Sequence, residues 1–448
     1  MRKVVMTVLT FALGVAFAAF FLNDRGAVEG QAQPAAAGGG FSAVANAVGT
    51  QDVTGPYEVV KGWPKDVSTL AGNEKWTYGA GESVFAESPN RIYGLYRGEL
   101  PNIKPPKAVR LPQVGPSISF PVAGFWRDAT VASLPGTGGT DQDVRKWLTA
   151  WEGMDDEIGI KGPPYWKLGV DAQWENCLVV YDGQGNIIET WKQWDKIFRR
   201  PHSVYISPYD MQKRVWVVDD NMQAIYVFTH DGKQLLQTIG TPEHEGADAT
   251  HFNRPTYLDW LPDGTFFVSD GYTGTRVAKF DKNGKFAAQW GIKGVPPNEK
   301  RPGYMNNVHG IAVDPSNRHV FVNDRNNHRI QVFDENGKYL SEWRIDADPS
   351  SLHLLYIGQD HMVWTFDRST NKMVQYDQQG HLKYAWGTMG AFPGGLWGVH
   401  GMSVDSDGNL YLAEVDSGRV QKFKPRPGAN PAYLVARPVK PIWATATN

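Results

Sequence analysis

The sequence predicts an all-β chain folded as a six-bladed β-propeller. Three observations carry that prediction. Strand-like runs recur in units of roughly 40 to 50 residues, the spacing of propeller blades. The runs are separated by D-G, N-G and Q-G turns, which supply the positive φ that tight hairpins need. Aromatics make up 12% of the 448 residues and there are 48 glycines, a composition suited to many short strands joined by tight turns.

The units follow in order. Unit one is split: "SVFAES" and "RIYGLYRGELP" supply two strands and "NCLVVYDGQGNIIETW" the other two. Between them lies an insertion over residues 101–174, rich in Pro and Gly, with one helical pattern, "DQDVRKWLTAW". An insertion of that size reads as a lid or covering loop. Unit two opens at His202 ("HSVYIS"), unit three at Thr256 ("TYLDW"), unit four at His309 ("HGIAVD"), unit five at His353 ("HLLYIG") and unit six at His400 ("HGMSVD"). The late segment "YLVARPVKPIW" either closes the ring as a strand or packs across it. A closed ring leaves no exposed sheet edge, and its innermost strands line a central channel.

The flanks differ from this pattern. Residues 1–32 start with Arg2 and Lys3, continue as an apolar run to Leu22, and read as an export signal or an uncleaved membrane anchor. Residues 33–56 read as a flexible linker, 57–436 as the propeller and 437–448 as a tail. The expected location is outside the cytoplasm: periplasmic, secreted, or anchored to the outer face of the inner membrane. A net charge of −2 with interspersed signs gives no support for nucleic-acid binding. Cys177 is the single cysteine, which excludes an internal disulfide and a thiolate metal site. A closed propeller can act as a monomer.

Units two, four and six begin their first strand with His202, His309 and His400. Alternate blades of a six-fold ring are related by a three-fold axis, so the three imidazoles would converge on it. Three imidazoles with an open fourth position form a catalytic zinc site. His353 falls at the same position in unit five and breaks the alternation, as a spare polar residue or a fourth neighbour. A second layer lies at the ends of the second strands: Arg97, Arg325 and, one residue further on in unit three, Tyr272. Arg suits a carboxylate, and Tyr beside cations can act as a general base. Arg368 also falls there, so Arg is not diagnostic. The structural alternative is that these residues cap or bridge neighbouring blades through Asp219, Asp270 and Asp324.

The stretches "RPTYLDWLPDGTFFVSDGYTGTRVAKFDKNGKFAAQWG" and "VHGIAVDPSNRHVFVNDRNNHRIQVFD" resemble the peptidyl-α-hydroxyglycine α-amidating lyase family, six-bladed propellers of NHL-type repeats. The "SDGY…R" and "DR.N.RIQ.F" pieces carry the resemblance, which spans roughly residues 82–423 without the insertion. It implies zinc held by His202, His309 and His400, with Tyr272, Arg97 and Arg325 catalytic. It implies cleavage of the C–N bond of an N-acyl-α-hydroxyglycine, a small molecule or a peptide C-terminus, to an amide and glyoxylate. His353 and Arg368 have no counterpart in the family's motifs. The family's structural Ca2+ site uses an Asp directly after the third His, where this chain has Gly401. Its paired cysteines are absent, and Thr273 stands where one would follow the Tyr. A non-catalytic NHL binding module and a metal-dependent lactonase-like hydrolase are the competing readings.

Overall fold

The computed structural model describes residues 53–102, 172–345 and 351–445. The predicted signal or anchor (1–32), residues 33–52 of the predicted linker, and residues 103–171 of the insertion with its helical pattern lie outside the described residues.

Six four-stranded antiparallel sheets succeed one another along the chain. Blade one comprises Trp76–Ser88, Arg91–Pro101, Leu178–Tyr181 and Ile187–Thr190. The first strands of blades two, three and four are Pro201–Ile206, Pro255–Trp260 and Val308–Asp314. Blade five begins with the short strand Tyr356–Ile357. Blade six is built from Val399–Val404, Leu410–Glu414 and Arg419–Pro425, and its outermost strand is Tyr57–Val59 from the other end of the propeller.

The closing strand therefore comes from the N-terminal side. Tyr57 pairs with Pro425 and Val59 with Phe423, so the ring cannot open without breaking ladder bonds. The C-terminal segment packs across instead. Gln359 N donates to Arg437 O, Tyr356 Oη to Ala436 O, and Ile442 N to Pro208 O. The predicted linker also ends early, because Gly55 and Pro56 are already buried and Tyr57 N donates to Thr54 O.

Adjacent blades are stitched by a repeated contact. The outer strands of blades one, three, four and five each carry a Trp at or within one residue of their end: Trp191, Trp290, Trp343 and Trp386. A positive-φ glycine from the next blade lies flat on that indole. Gly337, in the D-E-N-G turn of blade four, has φ +84°, and a Cβ built there would stand 2.7 Å from Trp290 Cδ2. Gly232, Gly380 and Gly55 meet Trp191, Trp343 and Trp386 in the same way. The glycine is needed twice, for the left-handed turn and for the close approach. Gly337→Ala is expected to lower unfolding stability by about 1–3 kcal/mol in urea denaturation; an unchanged midpoint would remove the stitch from the account.

Between blades the sheets bury aliphatic and aromatic faces. Trp216, Val218 and Ile225 of blade two pack on Leu258, Phe266 and Val268 of blade three. Tyr411 and Ala413 of blade six pack on Val84 and Ile92 of blade one. Cys177 is fully buried in this core.

Candidate metal centre and channel mouth

One local device places a side chain at the hub in alternate blades. The first strand of blade two slips register between Pro201 and Ser203, that of blade four between Val308 and Gly310, and that of blade six between Val399 and Gly401. The residue skipped by the ladder is His202, His309 and His400 respectively. A bulge leaves such a residue unpaired and re-aims its side chain. The matching positions in blades one, three and five are Glu82, Thr256 and His353.

In blades two, three and four the incoming loop is pinned by the Asp that ends the second strand. Asp219 accepts from Arg199 N and Arg200 N, Asp270 from Asn253 N, and Asp324 from Asn306 N. These Asp residues bind the loop of their own blade and do not bridge neighbouring blades. Asp324, fully buried, also accepts from Arg329 Nε at 2.8 Å, Asn327 Nδ2 at 2.9 Å and Gln331 Nε2 at 3.0 Å. Asp324→Ala leaves the Arg329 charge buried without this partner and is expected to cost about 3–5 kcal/mol. Chemical denaturation checks it; a loss under about 1 kcal/mol would mean the pin is dispensable.

The three predicted imidazoles do meet. The ligand atoms of His202, His309 and His400 lie within 4.8 Å of one another, and all three residues are buried. Among the described residues this is the group of His, Cys, Asp or Glu side chains close enough to hold an ion. His309 Nδ1 donates to His353 O at 2.6 Å and His400 Nδ1 to Glu82 O at 2.9 Å. Each bond fixes the tautomer that leaves Nε2 as a lone-pair donor, the arrangement found behind metal-binding histidines. Burial first, then His400 and His309, holds His202 well below the usual imidazole range. Burial first, then Arg325, does the same for His309. His400 is pushed down to about 3, burial outweighing its bond to the Glu82 carbonyl. Neutral imidazoles are the ligating form, so the donor set fits a divalent ion.

His353 does not join the trio. Its Nδ1 donates to Val399 O at 3.0 Å, and its carbonyl serves His309. Gly401 sits where the family's calcium-binding Asp is expected, and a Cβ there would stand 2.6 Å from Ser83 Cα of blade one. Blade one's backbone occupies the room that a carboxylate at position 401 would need.

Tyr272 reaches the same centre. Its Oη lies 3.1 Å from His202 Nε2 and 3.0 Å from His309 Nε2. It is aimed by the preceding residue, since a Cβ at Gly271 would stand 1.8 Å from Val308 O. Gly271 N and Tyr272 N both donate to Arg254 O. The Arg325 guanidinium lies 5.8 Å from the Tyr272 ring centroid. Arg97, buried, pairs with Glu82 Oε2 at 2.9 Å, and Glu82 Oε2 lies 3.3 Å from His400 Nδ1. The six predicted site residues therefore lie in one connected group, Arg97 through Glu82. Arg368 is turned into an ion pair with Asp416 of blade six at 2.9 Å.

Sequence reasoning missed Glu82, Arg200, Asp220, Arg254 and Tyr257. Tyr257 Oη donates to His400 O. Asp220 was legible in principle, because it follows Asp219 as Arg325 follows Asp324.

A family designated DUF5128 and described as a 6-bladed beta-propeller matches residues 245–388. The chain is 26% identical over 264 residues to peptidyl-alpha-hydroxyglycine alpha-amidating lyase 1 of Drosophila melanogaster, covering 54% of this chain and 48% of that protein. The chain is thus similar in sequence to an amidating lyase over about half its length. It is also 30% identical over 182 residues to peptidyl-glycine alpha-amidating monooxygenase A of Xenopus laevis, covering 40% of the chain and 19% of that protein. It is 26% identical over 269 residues to human NHL repeat-containing protein 3, covering 57% and 75%. The chain thus spans about half of the fly protein and a fifth of the frog protein.

Proposed function

We propose that the chain is a zinc-dependent lyase that cleaves the C–N bond of an N-acyl-α-hydroxyglycine, releasing an amide and glyoxylate. The observation that carries this reading is the contact of Tyr272 Oη with two of the three clustered imidazoles. A proton donor held at those imidazoles is then within reach of the phenol oxygen.

Zinc held by His202, His309 and His400 would supply Lewis acidity, lowering the pKa of a hydroxyl at its open position. The remaining work falls to the chain's own groups. Acting as the phenolate, Tyr272 Oη takes the proton from the substrate hydroxyl and becomes the phenol. The freed electron pair forms the aldehyde C=O of glyoxylate as the C–N bond breaks. The amide nitrogen leaves with the bonding pair and takes back the proton, so atoms and charge balance. Arg97 and Arg325 hold the carboxylate of the hydroxyglycine, their planar forks suiting two oxygens at once. Glu82 orients Arg97 through their ion pair. The buried hub excludes water, which strengthens these charge interactions.

The test is glyoxylate formation from a synthetic N-acyl-α-hydroxyglycine, run beside metal analysis of the purified chain. Glyoxylate with about one zinc per chain supports the reading. Turnover of lactones without glyoxylate would favour a hydrolase, and a metal-free, inactive protein a binding module of the NHL type. We also propose that the protein works outside the cytoplasm, on the strength of residues 1–32.

A further inference from the structure

One residue outside the proposed reacting set grips Tyr272 twice. Arg254 stands two places before Thr256, the hub position of blade three, where blade two has Arg200 and blade four Asn307. In those two blades the carbonyl at this place accepts one bond from the chain leaving the second strand. Arg200 O accepts from Asp220 N at 3.3 Å, and Asn307 O from Arg325 N at 3.1 Å. Arg254 O accepts two such bonds, from Gly271 N at 3.1 Å and Tyr272 N at 3.2 Å. Its side chain adds a second hold. The Arg254 guanidinium lies 4.4 Å from the Tyr272 ring centroid, nearer than those of Arg200 at 5.3 Å and Arg325 at 5.8 Å.

Arg254 is itself anchored to the neighbouring blade. Its Nε and Nη2 donate to Asp220 Oδ2 at 3.0 and 2.6 Å, and its backbone N donates to Gln223 Oε1 at 2.6 Å. Asp220 is fully buried, so the fork cannot swing away without weakening the hold on a desolvated carboxylate. Blade two thus presses a planar cation against a ring of blade three. A cation over an aromatic face is attracted by the ring's quadrupole, more strongly where water is excluded. This grip does not use the phenol oxygen. Tyr272 Oη meets His202 Nε2 and His309 Nε2, and those are the atoms that an ion at the hub would take. Once their lone pairs serve an ion, the orientation of the ring falls to its backbone bonds and to the guanidiniums on its faces. A drift of about 1 Å at the oxygen is enough to spoil a proton transfer.

We propose that Arg254, braced by Asp220, is the positioning residue of Tyr272: it holds the ring so that Oη stays aimed at the substrate hydroxyl when the imidazoles are committed to a metal ion. The proton transfer in this inference rests on the lyase reading; the hold on the ring stands on the contacts alone. If Arg254 only tied blade three to blade two, its loss would lower stability and leave the motion of the Tyr272 ring as it was.

Two measurements on the zinc-loaded full chain test it. The first needs no turnover. Tyrosine is labelled with carbon-13 at both Cε atoms, and the Tyr272 signals are those lost in Tyr272→Phe. A held ring gives two Cε resonances and a rapidly flipping ring gives one average. Two are expected in the parent chain and one in Arg254→Gln. Arg254→Lys keeps the cation without the fork and is expected to give broadened signals in between. The second measurement is kinetic. Arg254→Gln is expected to lower kcat by about 10- to 10²-fold, with KM and zinc content within about twofold of the parent, and Arg254→Lys to recover part of the loss. In the Tyr272→Phe background Arg254→Gln is expected to change kcat by less than about threefold, because the group it positions is gone. Should Arg254→Gln lack the native circular dichroism, Arg254→Lys carries both comparisons. An averaged ring in the parent chain, separate signals kept in Arg254→Gln, an equal kcat loss in both backgrounds, or a raised KM at unchanged kcat would each overturn the positioning role. Averaging in Arg254→Gln with no glyoxylate released by the parent chain leaves the hold on the ring standing and overturns the lyase reading.

Discussion

Stripping divalent metal from the purified protein is expected to lower glyoxylate release by about three orders of magnitude or more, the several kcal/mol that a Lewis acid supplies. Stoichiometric zinc is expected to restore it. The three imidazoles are buried and neutral, and two are locked by backbone carbonyls into the ligating tautomer. Removing one, as in His309→Ala, leaves two donors and is expected to lower zinc occupancy along with activity. The circular-dichroism spectrum should stay native, because the closing strand and the blade stitches lie elsewhere. Metal content by plasma emission, measured on the same samples, separates loss of the ion from loss of the fold. Full activity in a chain shown to carry no metal would end the zinc reading.

Tyr272→Phe is expected to reduce kcat by about 10²- to 10⁴-fold, the usual contribution of a positioned acid or base, with zinc content unchanged. The phenyl ring keeps its place, since it is the face of the ring that meets the Arg254 and Arg325 guanidiniums. Only the oxygen at 3.0 and 3.1 Å from the imidazoles is lost. KM should change little if Arg97 and Arg325 carry the carboxylate. A variant that turns over as fast as the parent chain would leave the proton to some other group, and a variant that also loses zinc would make Tyr272 a support for the ligands.

Much of this site was legible along the chain because a propeller repeats. Period places His202, His309 and His400 at the same point of alternate units, and six-fold closure turns that regularity into proximity. The same register put Arg97, Arg325 and Tyr272 at the channel mouth. It could not separate His353 from the trio, because it shares their position in its own unit. The hydrogen bonds decide that: the carbonyl of His353 supports His309, while its ring turns to Val399 O. Nor could it separate Arg325 from Arg368, which differ in the presence of Asp416 on the neighbouring blade.

Alone, the order of residues determined the all-β class, the six units, the hub histidines and the mouth residues, since strand alternation, turn glycines and repeat spacing are local properties. Folding in three dimensions decided which end of the chain closes the ring, for Tyr57–Val59 and the C-terminal segment are both short and weakly patterned. It also decided that no side chain fits at position 401, and that Arg200, Asp220 and Arg254 form one cluster. Those outcomes depend on contacts between blades, and a contact across a ring leaves no mark in the spacing of either partner.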